Sequence, residues 1–351
     1  MVSKISYLFI VLLATSCSAP QPDIQIACET DDVFNYIIKW ELYPSQDGTV
    51  KIYESTDPAH FNTRDEPLAE LKISDGRVRL VANHRLHRQY FLLRFNDRYD
   101  RITGTRAPRV AGVQNFRDIG GYETCNEKSV RWGMIYRSGH LDSVDLLGIK
   151  SLKQMGIRTV IDFRDSREFH KPTRKLRLKN TLNLPIQIKR KSQVENRLVH
   201  NEFRRGDAAV FMQDVYVDIS AKYADRFKAM FDQLLEKDNY PVVISCVYGK
   251  DFTGFATAMI LSALDVPEEI ILDDYMLSNQ YIDKSFLSKE VRHYSTSGQE
   301  AITKLMSADR KFLECTLQKI KREYGSIDNY LDKKMGMNAE RRKELREILL
   351  Y

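Results

Sequence analysis

Ile244-Ser245-Cys246-Val247-Tyr248-Gly249-Lys250-Asp251-Phe252-Thr253-Gly254 is the stretch on which the reading of this chain turns. The apolar run Pro241 to Ile244 leads in, and a second, Phe255 to Leu264, leads out with the length of a helix. The order is therefore strand, short loop, helix. A cysteine at the strand end, followed by Gly-Lys-Asp-x-Thr-Gly at a helix start, makes a phosphate cradle. Backbone N–H groups at the helix N-terminus converge on an anion, and the helix dipole stabilises both that anion and a thiolate at Cys246.

The rest of the chain sets the frame. Its 351 residues suffice for two cores. The net charge of +6 is modest; it favours anionic partners without calling for nucleic acid. Neither a metal-ligand spacing nor a cofactor motif is read. At the N-terminus Lys4 precedes the apolar stretch Ile5 to Ala14, the layout of a bacterial export signal. Leu13-Ala14-Thr15-Ser16-Cys17 resembles a lipoprotein signal box, which implies lipid modification of Cys17 and a protein held in the cell envelope outside the cytoplasm. The plainer alternative is an uncleaved apolar anchor. No other run is long enough to span a membrane. The remaining cysteines, Cys28, Cys125, Cys246 and Cys315, form no recognisable disulfide or zinc framework. Cys28, Cys125 and Cys315 read as isolated thiols, with a Cys28–Cys125 bridge left open.

Residues 1–20 are thus assigned to the signal and anchor, and 21–106 to an all-β module. Tyr36 to Leu42 alternates, Ser45 to Gly48 is a turn, and strands follow at Thr49 to Tyr53, Gly76 to Leu80, Gln89 to Phe95 and Arg101 to Thr103. Such spacing suggests a small β-sandwich. The Trp40 strand and the Tyr53-Glu54-Ser55 strand end resemble fibronectin type III modules. After a linker at Ala107 to Val113 the pattern becomes α/β over 107–351. A helix is expected at Leu146 to Met155, a buried strand at Arg158 to Phe163, one long helix at Phe211 to Leu235, and helices almost throughout after Pro267.

The opening stretch resembles the signature loop of the cysteine-dependent tyrosine phosphatases, nearest to the bacterial branch that reads His-Cys-x-x-Gly-Lys-Asp-Arg-Thr-Gly. Three further blocks carry the likeness: Asn115 to Tyr122, Trp132 to Gly139 and Thr159 to Arg164. Tyr324 to Leu331 fits the family's closing helical segment. The resemblance implies a central, mostly parallel sheet with a helical C-terminus. It also implies attack of Cys246 on phosphorus through a phosphocysteine, with Thr253 supporting the thiolate and Asp251, Asp162 or Asp118 as the acid. Phosphate would lie on Val247, Tyr248, Gly249, Lys250, Phe252 and Gly254, with Arg117 and Arg164 as further cations.

Two positions depart from the family pattern: Ser245 stands for His, and Phe252 for the arginine that grips two phosphoryl oxygens. The expected consequence is a weak or degenerate phosphatase, or a binder of phosphate or phosphoresidues without turnover. Lys171 to Arg205 holds eleven Lys or Arg against two Glu, where the family inserts a variable lid. It reads either as a solvated face or as a basic lid drawing in a phosphoprotein, an inositol phosphate or an anionic lipid headgroup.

Overall fold

A computed structural model describes residues 22–81, 88–169, 176, 178–188, 191–285 and 291–351. Cys17 and the apolar stretch before it lie outside the described residues, as do 171–175, 177, 189 and 190 of the basic segment.

Seven strands come first: β1 (Asp23–Thr30), β2 (Tyr36–Tyr43), β3 (Thr49–Ser55), β4 (Ala69–Lys72), β5 (Arg77–Leu80), β6 (Tyr90–Phe95) and β7 (Tyr99–Gly104). They pair antiparallel in two sheets, ordered β1-β2-β5 and β4-β3-β6-β7. Alternation sends Tyr36, Ile38 and Trp40 of β2 inward, to meet Val50 and Ile52 of β3 and Phe91, Leu93 and Phe95 of β6. Tyr36 meets Phe91 edge-on at 4.9 Å, and the Trp40 indole N–H donates to the Ile73 carbonyl at 2.8 Å. Cys28 of β1 lies in this core as a buried free thiol, and Cys125 is an exposed one, so the two are not bridged.

The second unit is built on β8 (Arg117–Asp118), β9 (Ile135–Ser138), β10 (Thr159–Asp162), β11 (Asn180–Asn183) and β12 (Val242–Ser245). Their order is β11-β10-β12-β9-β8, parallel throughout except that β8 runs antiparallel to β9. Central β12 is buried at every residue, as a strand covered on both faces must be. Ile135, Ile161, Val242 and Ile244 face one core; Tyr136, Val160 and Val243 face the other.

The second of those cores is closed by α1 (Leu146–Gln154) and by Val110 of the 107–113 segment. Against the first pack α3 (Arg205–Lys222), α4 (Ala224–Leu234) and α5 (Asp251–Ala263). The basic segment contributes α2 (Lys191–Val199). The chain continues through α6 (Glu268–Met276), α7 (Ser278–Tyr281) and helices at Thr296–Met306, Arg310–Tyr324, Ile327–Met335 and Ala339–Leu349.

The helix expected at 211–235 is two helices, parted at Tyr223. Tyr223 leaves the helical conformation, and its hydroxyl donates to the Gln187 carbonyl at 2.8 Å, a tertiary anchor that the periodicity of the run does not encode. The sequence reading gives no strand at β1, β4, β8, β9 or β11.

Arg88 joins the two units. Its Nη1 donates to the Asp118 carboxylate and to the hydroxyls of Tyr90 (2.8 Å) and Tyr136 (2.9 Å), and its Nη2 donates to the Thr105 carbonyl at 2.8 Å. The guanidinium also lies 4.5 Å from the Tyr90 ring centroid.

Candidate active site

The parallel strands end in register, Asp162 beside Ser245 and Ser245 beside Ser138. Loops at the carboxyl edge of such a sheet are where open α/β folds bind ligands. Cys246 leaves β12 at this edge, and 246–250 turn into the start of α5. Gly249 has φ +65°, and a Cβ there would lie 2.3 Å from the Ser138 carbonyl group, so only glycine lets the loop pass β9.

The loop is held from behind by its carbonyls. Asn115 Nδ2 donates to the Tyr248 and Gly249 carbonyls at 2.9 and 3.0 Å, and Arg137 Nη2 donates to Gly249 O at 2.9 Å. Among the described residues, the N–H groups of Val247, Gly249 and Lys250 donate to no backbone carbonyl. Buried polar atoms beside the loop that have no hydrogen-bond partner in the described structure include Gln114 Oε1, His140 Nδ1 and Ser245 Oγ. Unsatisfied groups gathered in this way mark a place where a polar ligand or water completes the structure.

Beneath the loop Arg117 and Arg137 share one carboxylate. Arg137 Nη1 binds Asp274 Oδ2, while Arg117 Nε donates to Asp274 Oδ1 at 3.3 Å and its Nη2 to the Asp274 carbonyl at 2.8 Å. Tyr122 donates to the same Oδ1 at 2.9 Å. Burial alone would raise the Asp274 carboxyl, but Arg117, Arg137 and Arg106 prevail and hold it at about 2. Arg117, buried beside Arg137, is pushed down to about 10. Both guanidiniums are thus built into the scaffold.

Cys246 is 4% exposed. Burial pushes its thiol above the ordinary value; the Thr253 hydroxyl and backbone N–H pull against that rise, and the Asp251 and Asp162 charges add to it. Lys250 is buried, with its ammonium 2.6 Å from Asp251 Oδ1. The Tyr216 hydroxyl donates to that same oxygen at 2.9 Å and lies 2.8 Å from the Tyr275 hydroxyl. Gly254 packs against the Tyr275 ring.

Phe252 is buried in the apolar core cluster and lines a small hollow with Ile186, Val215 and Ile219. Arg164, at the end of β10, chelates Asp162 through Nε (2.9 Å) and Nη2 (2.8 Å) and also binds Asp142. Asp118 is enclosed too, accepting from Arg88, Gly120 N and Gly133 N. Of the three acids expected as proton donors, Asp251 alone keeps an open side chain, 19% exposed against 2% for Asp162 and 0% for Asp118.

The structure therefore brings Cys246, Lys250, Asp251 and Thr253 together at one helix start, with Val247 and Tyr248 half-buried beside them. It places Arg117 and Arg164 in ion pairs and Phe252 in the core. Asn115, Arg137, Asp274, Tyr216 and Tyr275 went unassigned at the level of sequence. Asn115 and Arg137 lie inside the quoted blocks. Asp274 stands three residues after buried Ile271, on the inward face of α6, a position where a carboxylate needs a partner.

A profile described as the tyrosine phosphatase family matches residues 108–351, and the chain belongs to that family. Two curated relatives agree. A protein of Cupriavidus necator named as a tyrosine-protein phosphatase is 27% identical over 250 residues, covering 64% of this chain and 87% of its own. The triple specificity protein phosphatase PtpB of Mycobacterium tuberculosis is 25% identical over 276 residues, 69% of this chain and 98% of its own. The core catalytic domain of a PP-IP phosphatase of S. cerevisiae aligns with a TM-score of 0.28 at 13% identity, over 45% of this chain and 85% of its own, too slight a likeness to carry any argument.

Proposed function

We propose that this chain recognises phosphate monoesters at the 246–254 loop and hydrolyses them only weakly, through Cys246. The Cys246 thiol would pass its proton to the Asp251 carboxylate as the sulfur attacks phosphorus, and Asp251 would hand that proton to the leaving oxygen as the P–O ester bond breaks. Water would then cleave the P–S bond, releasing phosphate and restoring the thiol. The observation that carries the attenuation is the commitment, among the described residues, of the guanidiniums near the loop. Phe252 is packed in the core, and Arg117, Arg137 and Arg164 are each bound to carboxylates. A transition state that normally has a bidentate cation would have only backbone N–H groups and an ammonium already paired with Asp251. Removing a comparable arginine in phosphoryl transfer costs on the order of a thousandfold or more.

A second reading is a phosphoresidue binder without turnover, favoured by the raised Cys246 thiol. The test is turnover of an aryl phosphate by the full-length chain beside Cys246→Ser. Slow turnover that disappears in the serine variant supports the weak enzyme. Turnover equal in both leaves the binder, for which phosphopeptide binding to the serine variant is then measured.

The wider setting is also proposed. The N-terminal strands would form a fibronectin type III-like module (21–106) ahead of the phosphatase-like unit (107–351). The protein would be lipid-anchored at Cys17 in the cell envelope, and 171–205 would act as a basic lid for an anionic protein, inositol phosphate or lipid headgroup. Metabolic labelling with a palmitate analogue in wild type and Cys17→Ala tests the anchor.

A further inference from the structure

Asp251 is tied by one carboxylate oxygen and open at the other. Its Oδ1 lies 2.6 Å from the Lys250 ammonium and accepts from the Tyr216 hydroxyl at 2.9 Å. A carboxylate oxygen has two lone pairs, so these two donors fill Oδ1. Among the described residues Oδ2 takes part in no hydrogen bond or ion pair, and it is the oxygen that reaches solvent.

The phenol on Oδ1 comes from the core. Tyr216 stands on α3 and Tyr275 on α6, with their hydroxyls 2.8 Å apart. Each phenol has a single proton to give. Tyr216 gives its proton to the carboxylate, which can only accept. Tyr275 therefore donates to Tyr216, and the pair is a chain of fixed direction ending on Oδ1. Both rings are wholly buried. They meet edge-on at 6.1 Å, and the Tyr216 ring lies 5.9 Å from that of Phe312 in the 310–324 helix. Three helices outside the 246–254 loop thus fix where this carboxylate stands. Its charge reaches the Cys246 thiol.

We propose that Tyr216 and Tyr275 are positioning residues for Asp251: by occupying Oδ1 they leave Oδ2 as the one place where the carboxylate takes up and releases the proton. The proposal rests on the proton path given above, from the Cys246 thiol to Asp251 and on to the leaving oxygen. A proton on Oδ1 has to displace the Tyr216 hydroxyl or the Lys250 ammonium; on Oδ2 it displaces neither. Without Tyr216 the carboxylate is free to rotate about its Cβ–Cγ bond and exchange its two oxygens, and proton delivery loses its aim.

The test is leaving-group dependence, which reads proton delivery and is blind to packing. Phenyl phosphate expels a strongly basic oxygen that needs the proton, and dinitrophenyl phosphate a weakly basic one that does not. kcat/KM for both esters is measured on the full-length chain and on Asp251→Asn, Tyr216→Phe and Tyr275→Phe, with a urea melt to establish that each variant is folded. Asp251→Asn should lower the phenyl ester about a hundredfold more than the dinitrophenyl ester. Tyr216→Phe should show the same selective loss at about tenfold, and Tyr275→Phe, which removes only the outer link, at about threefold. If Tyr216→Phe does not fold, Tyr275→Phe decides alone. Tyrosine variants that slow both esters equally, or neither, beside a selective loss in Asp251→Asn would overturn the positioning role and leave the proton path standing. Equal loss of both esters in Asp251→Asn, no turnover of either ester, or turnover that survives Cys246→Ser would overturn the proton path and the positioning role with it.

Discussion

Cys28 and Cys246 are both buried thiols, one in the β core and one at the start of the loop. Burial pushes Cys28 up to about 12, with the Arg88 charge opposing and the Glu29 charge adding. Burial raises Cys246 as well, but there the Thr253 hydroxyl and N–H press the other way. What separates a candidate nucleophile from a packing residue is therefore the set of donors facing the sulfur, since both thiols are removed from water. The loop keeps its donors and, beside the paired Lys250, lacks a guanidinium cation at position 252.

The largest effect should come from supplying that cation. Phe252→Arg is expected to raise aryl phosphate turnover about a thousandfold. It should also lower stability by about 3 kcal/mol, because the Phe252 ring leaves a void beside Val215 and Ile219. Steady-state kinetics and a urea melt read the two effects. No gain in rate would mean that the loop is deficient beyond residue 252.

Asp274→Asn removes the charge on which both buried arginines depend, and should cost about 3–5 kcal/mol in urea unfolding. In the wild type this carboxylate titrates near 2 when folded and near 3.8 when unfolded. The unfolded chain takes up the proton first on acidification. The contribution is thus complete above pH 4, and on the order of 2 kcal/mol is lost as pH falls from about 4 to 2. Acid melts of the variant should lack this portion.

The comparison of the two thiols is sharpened by alkylation. Iodoacetamide should label Cys246 slowly at pH 7 and about tenfold faster per pH unit toward the raised pKa, while Cys28 stays unlabelled until the β core unfolds. Thr253→Val should slow Cys246 and leave Cys28 unchanged; peptide mass mapping distinguishes the two sites. The smallest effect belongs to Tyr216→Phe, which removes the hydrogen bonds to Asp251 and to the Tyr275 hydroxyl and should cost about 1–3 kcal/mol.

Much of the scaffold could be read from local pattern. Alternation located β2, β3 and β6, and the apolar runs located β10, β12 and α5. β1 carries the same kind of signal, since Ile24, Ile26 and Cys28 alternate. β11, Asn-Thr-Leu-Asn, has almost no apolar pattern and is a strand because β10 offers it an edge. At the site, residue types foretold the loop, but where Arg117 and Arg137 would find their counter-ion depended on α6, more than a hundred residues beyond them. Phe252 shows the same limit: its letter announced a missing cation, and only packing revealed that the ring faces the core.

Arg88 bears on a different matter, the separability of the parts. It belongs to the N-terminal strands, yet its counter-ion is Asp118, wholly enclosed in the other unit, where it also orders Gly120 and Gly133. Cutting the chain between the units would leave that carboxylate without its cation, held only by the Gly120 and Gly133 N–H groups, at a cost of about 1–3 kcal/mol. The β strands are therefore no detachable passenger. A shuffling event that delivered the phosphatase-like half by itself to another protein would have to bring a substitute cation, or first neutralise residue 118.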